Sequence, residues 1–306
     1  MRSAGEGVPC IRTRAYIDGY NLYYGCLKRS ADKWLDPRAL IECILPTILH
    51  ESHGQPIGHR CYPRTFKFFT APILEAFAKS NDSITCQWHY HSALQAHLRG
   101  DLQIIQGYYD ARPARAYRWE RGRPARTCER IEIWRLEEKQ SDVALALHAY
   151  SDAIRGHVDQ VIFITNDTDV VPALERLRED TSVIVGLIAP IRRGRGSVNA
   201  ALERCAHWTR KHIGDEELAR SQLPVRVRGR AGVIHKPISW YPRPDLLAPI
   251  FEEARRVKGS AGGARRWLNL PCAHLGGRIP IEMCADDGAA LELKAYMSRY
   301  AEEFGI

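Results

Sequence analysis

The sequence predicts an α/β fold with a mostly parallel sheet, followed by a small all-helical domain. Three observations predict it. Apolar, β-branched runs alternate with helix-patterned stretches over most of the chain. One such run, Val161-Ile162-Phe163-Ile164, leads straight into Thr165-Asn166-Asp167-Thr168-Asp169. It reads as a buried parallel strand that ends in two carboxylates. From Asp245 onward the pattern is helical.

Residues 1–13 read as a lead-in. Arg14 to Asp18 is a short strand, followed by a turn at Gly19 and a helix start at Asn21. Pro37 to His50 has Leu40, Ile41, Ile44, Leu45 and Ile48 on one helical face. A Gly/Pro/His loop over 50–60 precedes a strand at Arg64 to Thr70. A helix is expected at Ser92 to Arg99 and a strand at Leu102 to Gly107. The Arg-rich stretch 110–130 reads as irregular, and Arg130 to Leu136 alternates as a strand. Ser141 is the expected N-cap of the next helix, with Asp142 in a first turn that favours an anion. After the strand at 161–164 come a helix at Pro172 to Glu179 and a buried strand at Ser182 to Ile188. The basic loop Arg192-Arg193-Gly194-Arg195 follows, then a short helix and an edge strand within 198–210. Residues 225–244 are rich in Pro, Gly and Arg and read as a linker. Four short helices are expected within 245–306.

The 306 residues suit two domains, and 45% hydrophobic content is enough for a sizeable core. With 44 Lys+Arg against 36 Asp+Glu the net charge is +8. A basic protein with an acidic site fits a polyanionic substrate. The sequence has no apolar run of membrane-spanning length and no secretory signal core within residues 1–10. The 9 Cys are scattered and never spaced CxxC, which points to reduced thiols and a cytoplasmic protein.

Asp18, Asp142, Asp167 and Asp169 all fall at a strand end or a helix start expected on one sheet edge, where open α/β sheets bind ligands. Like charges this close raise each other's pKa unless a cation joins them. Mg²⁺ and Mn²⁺ favour such oxygen donors and assist phosphodiester displacement. One ion or two would fit four carboxylates. A lone aspartate in such a place is more often a cap, and Asp169 is also placed to cap the Pro172 helix.

Three runs resemble the motifs of NYN domains, a branch of the PIN-like ribonucleases. They are Tyr16-Ile17-Asp18-Gly19-Tyr20-Asn21-Leu22, Glu138-Lys139-Gln140-Ser141-Asp142-Val143-Ala144-Leu145-Ala146, and Thr165-Asn166-Asp167-Thr168-Asp169-Val170-Val171-Pro172. Weaker likenesses lie at Phe68-Phe69-Thr70-Ala71, around Gln106-Gly107-Tyr108-Tyr109 and at Ser221-Gln222-Leu223-Pro224. The likeness spans residues 11–224. It implies a Rossmann-like PIN fold and Mg²⁺- or Mn²⁺-dependent cleavage of RNA, as an endoribonuclease, with Asp18, Asp142, Asp167 and Asp169 as metal-binding catalytic residues. Asn21 would steady Asp18 or a phosphate. Asn166, Thr168, Lys139, Arg192 and Arg193 would contact substrate. Gln140 stands where the family usually has glycine, and Asn166-Asp167-Thr168-Asp169 replaces the commoner Gly-Asp-Ser-Asp.

Residues 245–306, with Arg265-Arg266-Trp267-Leu268, Gly276-Gly277-Arg278-Ile279-Pro280 and Asp287-Gly288-Ala289, resemble the toxin-binding domain of Xre/MbcA/ParS-type antitoxins. That likeness implies a bacterial protein whose tail binds a RES-type toxin or another protein, or dimerises. The family's helix-turn-helix is absent, so DNA repression does not carry over. The alternative function is a non-cleaving, antitoxin-like regulator that grips RNA or a toxin.

Arg112, Arg115, Arg118, Arg121, Arg123, Arg126 and Arg130, interleaved with Tyr108, Tyr109, Tyr117 and Trp119, suit single-stranded RNA. Neither His50, His53, His59 and Cys61 nor Cys86, His89 and His91 has strong zinc spacing.

Overall fold

The computed structural model describes residues 10–48, 58–60 and 65–304. Strand β1 (Cys10–Asp18) leads into the single-turn helix α1 (Gly19–Leu22) and, after a wide turn, α2 (Pro37–Ile44). β2 (Gly58–Arg60), β3 (Phe66–Thr70), α3 (Ser83–Leu98) and β4 (Leu102–Gln106) follow. β5 (Tyr108–Tyr117) and β6 (Arg130–Lys139) form a ribbon ahead of α4 (Ser141–Ile154). Then come β7 (Gln160–Ile164), α5 (Val171–Asp180), β8 (Ile184–Ile188), α6 (Ala200–Cys205), β9 (Trp208–Arg210) and α7 (Asp215–Arg220).

The main sheet runs β4-β3-β1-β7-β8-β9 with every neighbouring pair parallel, and β2 adds a parallel pairing to the start of β1. The chain winds outward from β1 in one direction through β3 and β4, then in the other through β7, β8 and β9. The switch point therefore lies between β1 and β7, and strand carboxyl ends at such a point open a crevice. One layer of the core is built from Tyr16, Leu145, Phe163, Leu174, Val185 and Leu187. Tyr16 and Phe163 stack across the β1–β7 pair at 5.7 Å. Gly186 on β8 is required by its neighbour: a Cβ there would lie 2.1 Å from the Trp208 ring of β9.

A buried ion network pins α4 to this sheet. Asp152, near the end of the helix, accepts from the Tyr16 hydroxyl at 2.7 Å and from Lys67 Nζ, and pairs with Arg14 at 2.8 Å. Burial alone would raise the Asp152 pKa, but hydrogen bonds from Lys67, Tyr16 and Arg14 override it and hold the carboxyl down at about 2.

Several stretches differ from expectation: β1 already begins at Cys10 within the expected lead-in, and β2 lies in the expected loop 50–60. The Arg-rich stretch 110–130, expected to be irregular throughout, begins as strand over 110–117: β5 and β6 pair antiparallel through ten residue pairs, from Tyr108↔Lys139 to Tyr117↔Arg130. Cross-strand contacts stabilise it, with Arg118 on Glu129 at 3.0 Å and Arg130 over the Tyr117 ring at 5.5 Å. Within 225–244, the expected linker, β10 (Arg226–Gly229) and β11 (Gly232–His235) form a hairpin beside α3. Helix α3 itself starts nine residues before the expected Ser92, at Ser83.

A second unit comprises Arg29–Lys33 and Lys236–Ile306. Its helices are α8 (Pro244–Val257), α9 (Ala261–Leu268), α10 (Pro280–Met283) and α11 (Asp287–Phe304). Leu247, Ile250, Leu268, Leu293 and Met297 fill its core, and Trp267 stacks on Tyr296 at 6.3 Å. Gly276 and Gly277 have φ of 68° and 79°, the left-handed conformation glycine adopts without strain, and make the turn before α10. Among the described residues, no helix is long and apolar enough to cross a membrane.

Candidate active site

The crevice at the switch point is a cleft of about 530 Å³. Asp18, Glu138, Asp142 and Asp167 line it, with Asn21, Asn166, Tyr20, Tyr24 and Tyr109. Local hydrogen bonding fixes the floor. Asp18 caps α1 by accepting from the Asn21 backbone N–H at 2.9 Å, and also accepts from the Thr165 hydroxyl at 3.0 Å. The Asn21 side chain accepts from the Asn166 backbone N–H at 2.9 Å, and Asn166 Oδ1 in turn accepts from Asn199 N–H at 2.9 Å. The ends of β1 and β7 are thus latched by two asparagines. Asp167 caps a short turn at Thr168–Val170 by accepting from Asp169 N–H at 3.0 Å. No side-chain cap bond forms at the α5 N-terminus.

Asp142 stands in the first turn of α4, as the sequence implies, but the cap position belongs to Gln140 rather than Ser141. Gln140 has φ of 76°. That left-handed conformation explains the glycine usual at this place, and a side chain there costs about 1 kcal/mol. Gly107 allows the same turn to close: a Cβ on it would lie 2.2 Å from the Lys139 carbonyl.

The electrostatics are those of an anionic floor. Burial pushes Asp18 up to about 7, helped by the charge of Asp142, against the lowering effect of the Asn21 and Thr165 hydrogen bonds. Burial raises Glu138 more than the Ser141 hydroxyl lowers it, with Asp142 adding to the rise. Asp142 is raised by burial, then by Asp167 and Asp169. The sequence reading missed Glu138 as a site residue. Its signal was position: it opens the second motif, two residues before the turn.

The other expected contacts are dispersed. Asp169 and Thr168 are exposed beside the cleft, with Asp169 felt by Asp142 only through its charge. Lys139 pairs with Glu137 at 2.6 Å. Arg192 is held by the scaffold, donating to the Cys26 carbonyl at 2.7 Å and pairing with Asp215 at 2.6 Å. Arg193 donates to His212 at 3.3 Å. Of the zinc candidates, buried Cys86 donates to Asp82, and burial lowers His91 to about 4. His50, His53 and Cys61 lie outside the described residues, as does the His59 side chain.

The donor set tests whether a divalent ion belongs here. It offers hard carboxylate oxygens, partly buried and mutually repelling, which Mg²⁺ or Mn²⁺ would relieve. The carboxylates ring the cleft without forming a closed cage: among the described residues, no group of three or more His, Cys, Asp or Glu is disposed to hold an ion directly. The residues therefore fit an ion that keeps part of its water shell and takes one or two carboxylates, the habit of Mg²⁺. A pH dependence follows. A Mn²⁺ ion taken up through the Asp18 carboxylate would bind about tenfold more tightly per pH unit up to about pH 7 and level off above. Calorimetric titration from pH 5.5 to 8.5 checks this, and a flat profile contradicts it. Without the ion the sign reverses: the raised Asp18 pKa gives stability present at acid pH and lost as pH rises through about 7.

The NYN domain profile matches residues 12–209, and the antitoxin Xre/MbcA/ParS C-terminal toxin-binding domain profile matches residues 253–301. The chain is 42% identical over 293 residues to 6-hydroxy-3-succinoylpyridine 3-monooxygenase HspA of Pseudomonas putida, a match that covers 94% of each. A crystal structure of a protein of unknown function from Vibrio parahaemolyticus aligns over 70% of this chain and 98% of its own, at 17% identity and a TM-score of 0.38.

Proposed function

The chain belongs to the NYN domain family, and from that membership we propose that it is a metal-dependent ribonuclease acting in the β1–β7 cleft. The observation that carries the reading is the convergence of Asp18, Glu138, Asp142 and Asp167, from three separate stretches of chain, on one cleft. A bound Mg²⁺ or Mn²⁺ would supply Lewis acidity and an acidified water. Asp142 and Asp167 provide negative charge for the ion, and the Asn21–Asn166 latch keeps Asp18 and Asp167 in register. Glu138, its pKa raised by burial, is placed to take up or return a proton at its carboxylate. The rings of Tyr20, Tyr24 and Tyr109 offer π faces to an unpaired base. Beyond them the ribbon carries Arg115, Arg121 and Arg126 with the exposed Trp119 and Trp134, a surface suited to a single strand. The C-terminal unit would dock a toxin or a second copy of the chain.

A second reading rests on one observation. The relative named a pyridine monooxygenase matches almost end to end, a span too long to stop short of the C-terminal unit. On this reading the same cleft would hold a single hydroxypyridine ring against the tyrosines and oxidise it with O₂ and a two-electron donor.

One experiment separates the two. Purified protein is given labelled single-stranded RNA with Mn²⁺, with and without EDTA. In parallel it is given 6-hydroxy-3-succinoylpyridine with a reduced nicotinamide while O₂ uptake is followed. Mn²⁺-dependent cleavage abolished by EDTA is the expected result. Intact RNA together with substrate-dependent O₂ uptake replaces the first reading by the second. Intact RNA that stays tightly bound, with no O₂ uptake, leaves the non-cleaving regulator.

A further inference from the structure

The ribbon ahead of α4 has two faces, and only one of them runs out of the cleft. β5 and β6 pair through ten successive residue pairs with no break in register, so every second pair lies on the same face along the whole ribbon. The pair Tyr109–Glu138 lines the cleft, where Tyr109, Tyr20 and Tyr24 make a tyrosine wall. Counted outward in twos from that pair, the same face carries Leu136, Trp134 and Glu132 on β6 and Arg115 and Tyr117 on β5, all of them exposed. The opposite face carries Arg112 and Arg135, which lie opposite each other in register. Both have acidic neighbours: Arg112 pairs with Asp110 at 3.6 Å, and Arg135 with Glu137.

The face that leaves the cleft offers rings and guanidinium groups in alternation. Trp134 is 64% exposed, and Phe77 meets it edge-on at 6.0 Å, which steadies the ring and leaves it accessible. Tyr117 is half-exposed, with the Arg130 guanidinium 5.5 Å from its ring centre. Rings of this kind stack unpaired bases whatever their sequence, and neighbouring arginines meet the phosphates between them. Charge changes sign along the ribbon. At the cleft end Asp110, Glu137 and Glu138 outnumber Lys139, whereas residues 118–130 at the outer end hold five Arg against two Glu. A polyanion is drawn to the outer end. From Tyr109 to Tyr117 the chain advances eight residues, about 27 Å at roughly 3.4 Å per residue. That is room for about four extended nucleotides.

We propose that the Trp134 face of the ribbon is a guide for single-stranded RNA. Bases stack on Trp134 and Tyr117, phosphates meet Arg115 and Arg130, and the strand is led past Tyr109 into the cleft. The inference rests on the cleft acting on RNA, as proposed above. It adds which face holds the strand, and that neither a duplex nor an acidic polypeptide takes its place. A duplex buries its base faces in its own stack, and an acidic polypeptide brings no base to Trp134.

Binding is measured by fluorescence anisotropy in EDTA at one fixed salt concentration, because phosphate contacts are salt-dependent. The probe is labelled twelve-nucleotide oligouridine, alone or annealed to oligoadenosine, with polyglutamate as competitor. Wild-type protein is expected to hold the single strand about tenfold more tightly than the duplex and to keep it in the presence of polyglutamate. Trp134→Ala should weaken single-strand binding by about tenfold, and Trp134→Phe, which keeps a stacking face, should retain most of it. Arg115→Ala should weaken it by about threefold. Arg135→Ala removes the same charge from the opposite face, nearer the cleft, and should stay within about twofold of wild type. Equal binding of strand and duplex, displacement by polyglutamate, wild-type affinity in Trp134→Ala, or an Arg135→Ala loss as large as that of Arg115→Ala each overturns the inference. Mn²⁺ added to the same samples keeps the two readings apart. RNA held through Trp134 but left uncut marks a failure of the ribonuclease reading alone. RNA cut equally well by wild type, Trp134→Ala and Arg115→Ala marks a failure of the guide alone.

Discussion

Asp142→Asn is expected to lower RNA cleavage in Mn²⁺ by roughly 10³-fold while the protein becomes no less stable, an effect of the size seen when one electrostatic element of a catalytic site is removed. The substitution keeps shape and removes charge. Asp142 lines the cleft floor, and its pKa is raised by burial and by the charges of Asp167 and Asp169. In the ion-free protein that charge is a cost, so neutralising it relieves repulsion even as it weakens the proposed ion site. Activity and stability should therefore move in opposite directions, as at sites that hold strained charge for function. Asp169→Asn is the internal control: Asp169 is exposed beside the cleft and raises Asp142 through its charge, so about fivefold or less is expected. Paired measurements of initial cleavage rate and thermal midpoint check this. An Asp142→Asn protein with activity within tenfold of wild type sinks the proposed role.

Asp152→Ala is expected to destabilise the fold by about 3–5 kcal/mol, the usual cost of removing one partner of a buried ion pair. Lys67 is 5% exposed and its ammonium bonds to Asp152 and to His148 Nδ1. Without Asp152 the positive charges of Lys67 and Arg14 face each other in the interior with no carboxylate between them. Replacing the Lys67 and Asp152 side chains together, as Lys67→Met/Asp152→Leu, should cost less than Asp152→Ala alone, because Arg14 is then the one charge left without its carboxylate. The pH sign follows from the depressed pKa: the contribution of Asp152 is present above about pH 4 and is lost as pH falls towards about 2. Urea denaturation of wild type and both variants at pH 7 and pH 3 checks each part. Equal midpoints for Asp152→Ala and wild type at pH 7 refute it.

Asp142 and Asp152 lie on the same helix, α4. Asp142 opens the helix and Asp152 sits ten residues later against Tyr16 and Lys67 of the sheet. The network at one end fixes the seat of the helix and so the place of the carboxylate at the other.

The sequence by itself determined the strands of the sheet other than β2, the aspartates at their carboxyl ends and the helical character of the tail. Buried parallel strands such as 160–164 and 184–188 are continuous apolar runs, a local signal that needs no partner to be seen. The three motif runs also brought Asp18, Asp142 and Asp167 to one expected edge. Only the tertiary structure decided the rest, because the forces involved act between residues far apart in the chain. Arg192 reads as a phosphate ligand until Asp215 and the Cys26 carbonyl are found beside it. β6 shows an alternation over 130–136, but its partner β5 is invisible in an Arg-rich stretch because the ribbon's stability comes also from pairs such as Arg118 with Glu129 and Arg130 over Tyr117. Glu138 becomes a wall of the cleft because β6 ends beside Tyr109 and a left-handed Gln140 turns the chain there into α4. The tyrosine wall exists because α1 and the wide turn after it stack Tyr20 on Tyr24 at i,i+4 spacing, and the fold then brings Tyr109 edge-on against Tyr20, a meeting that no spacing along the chain encodes.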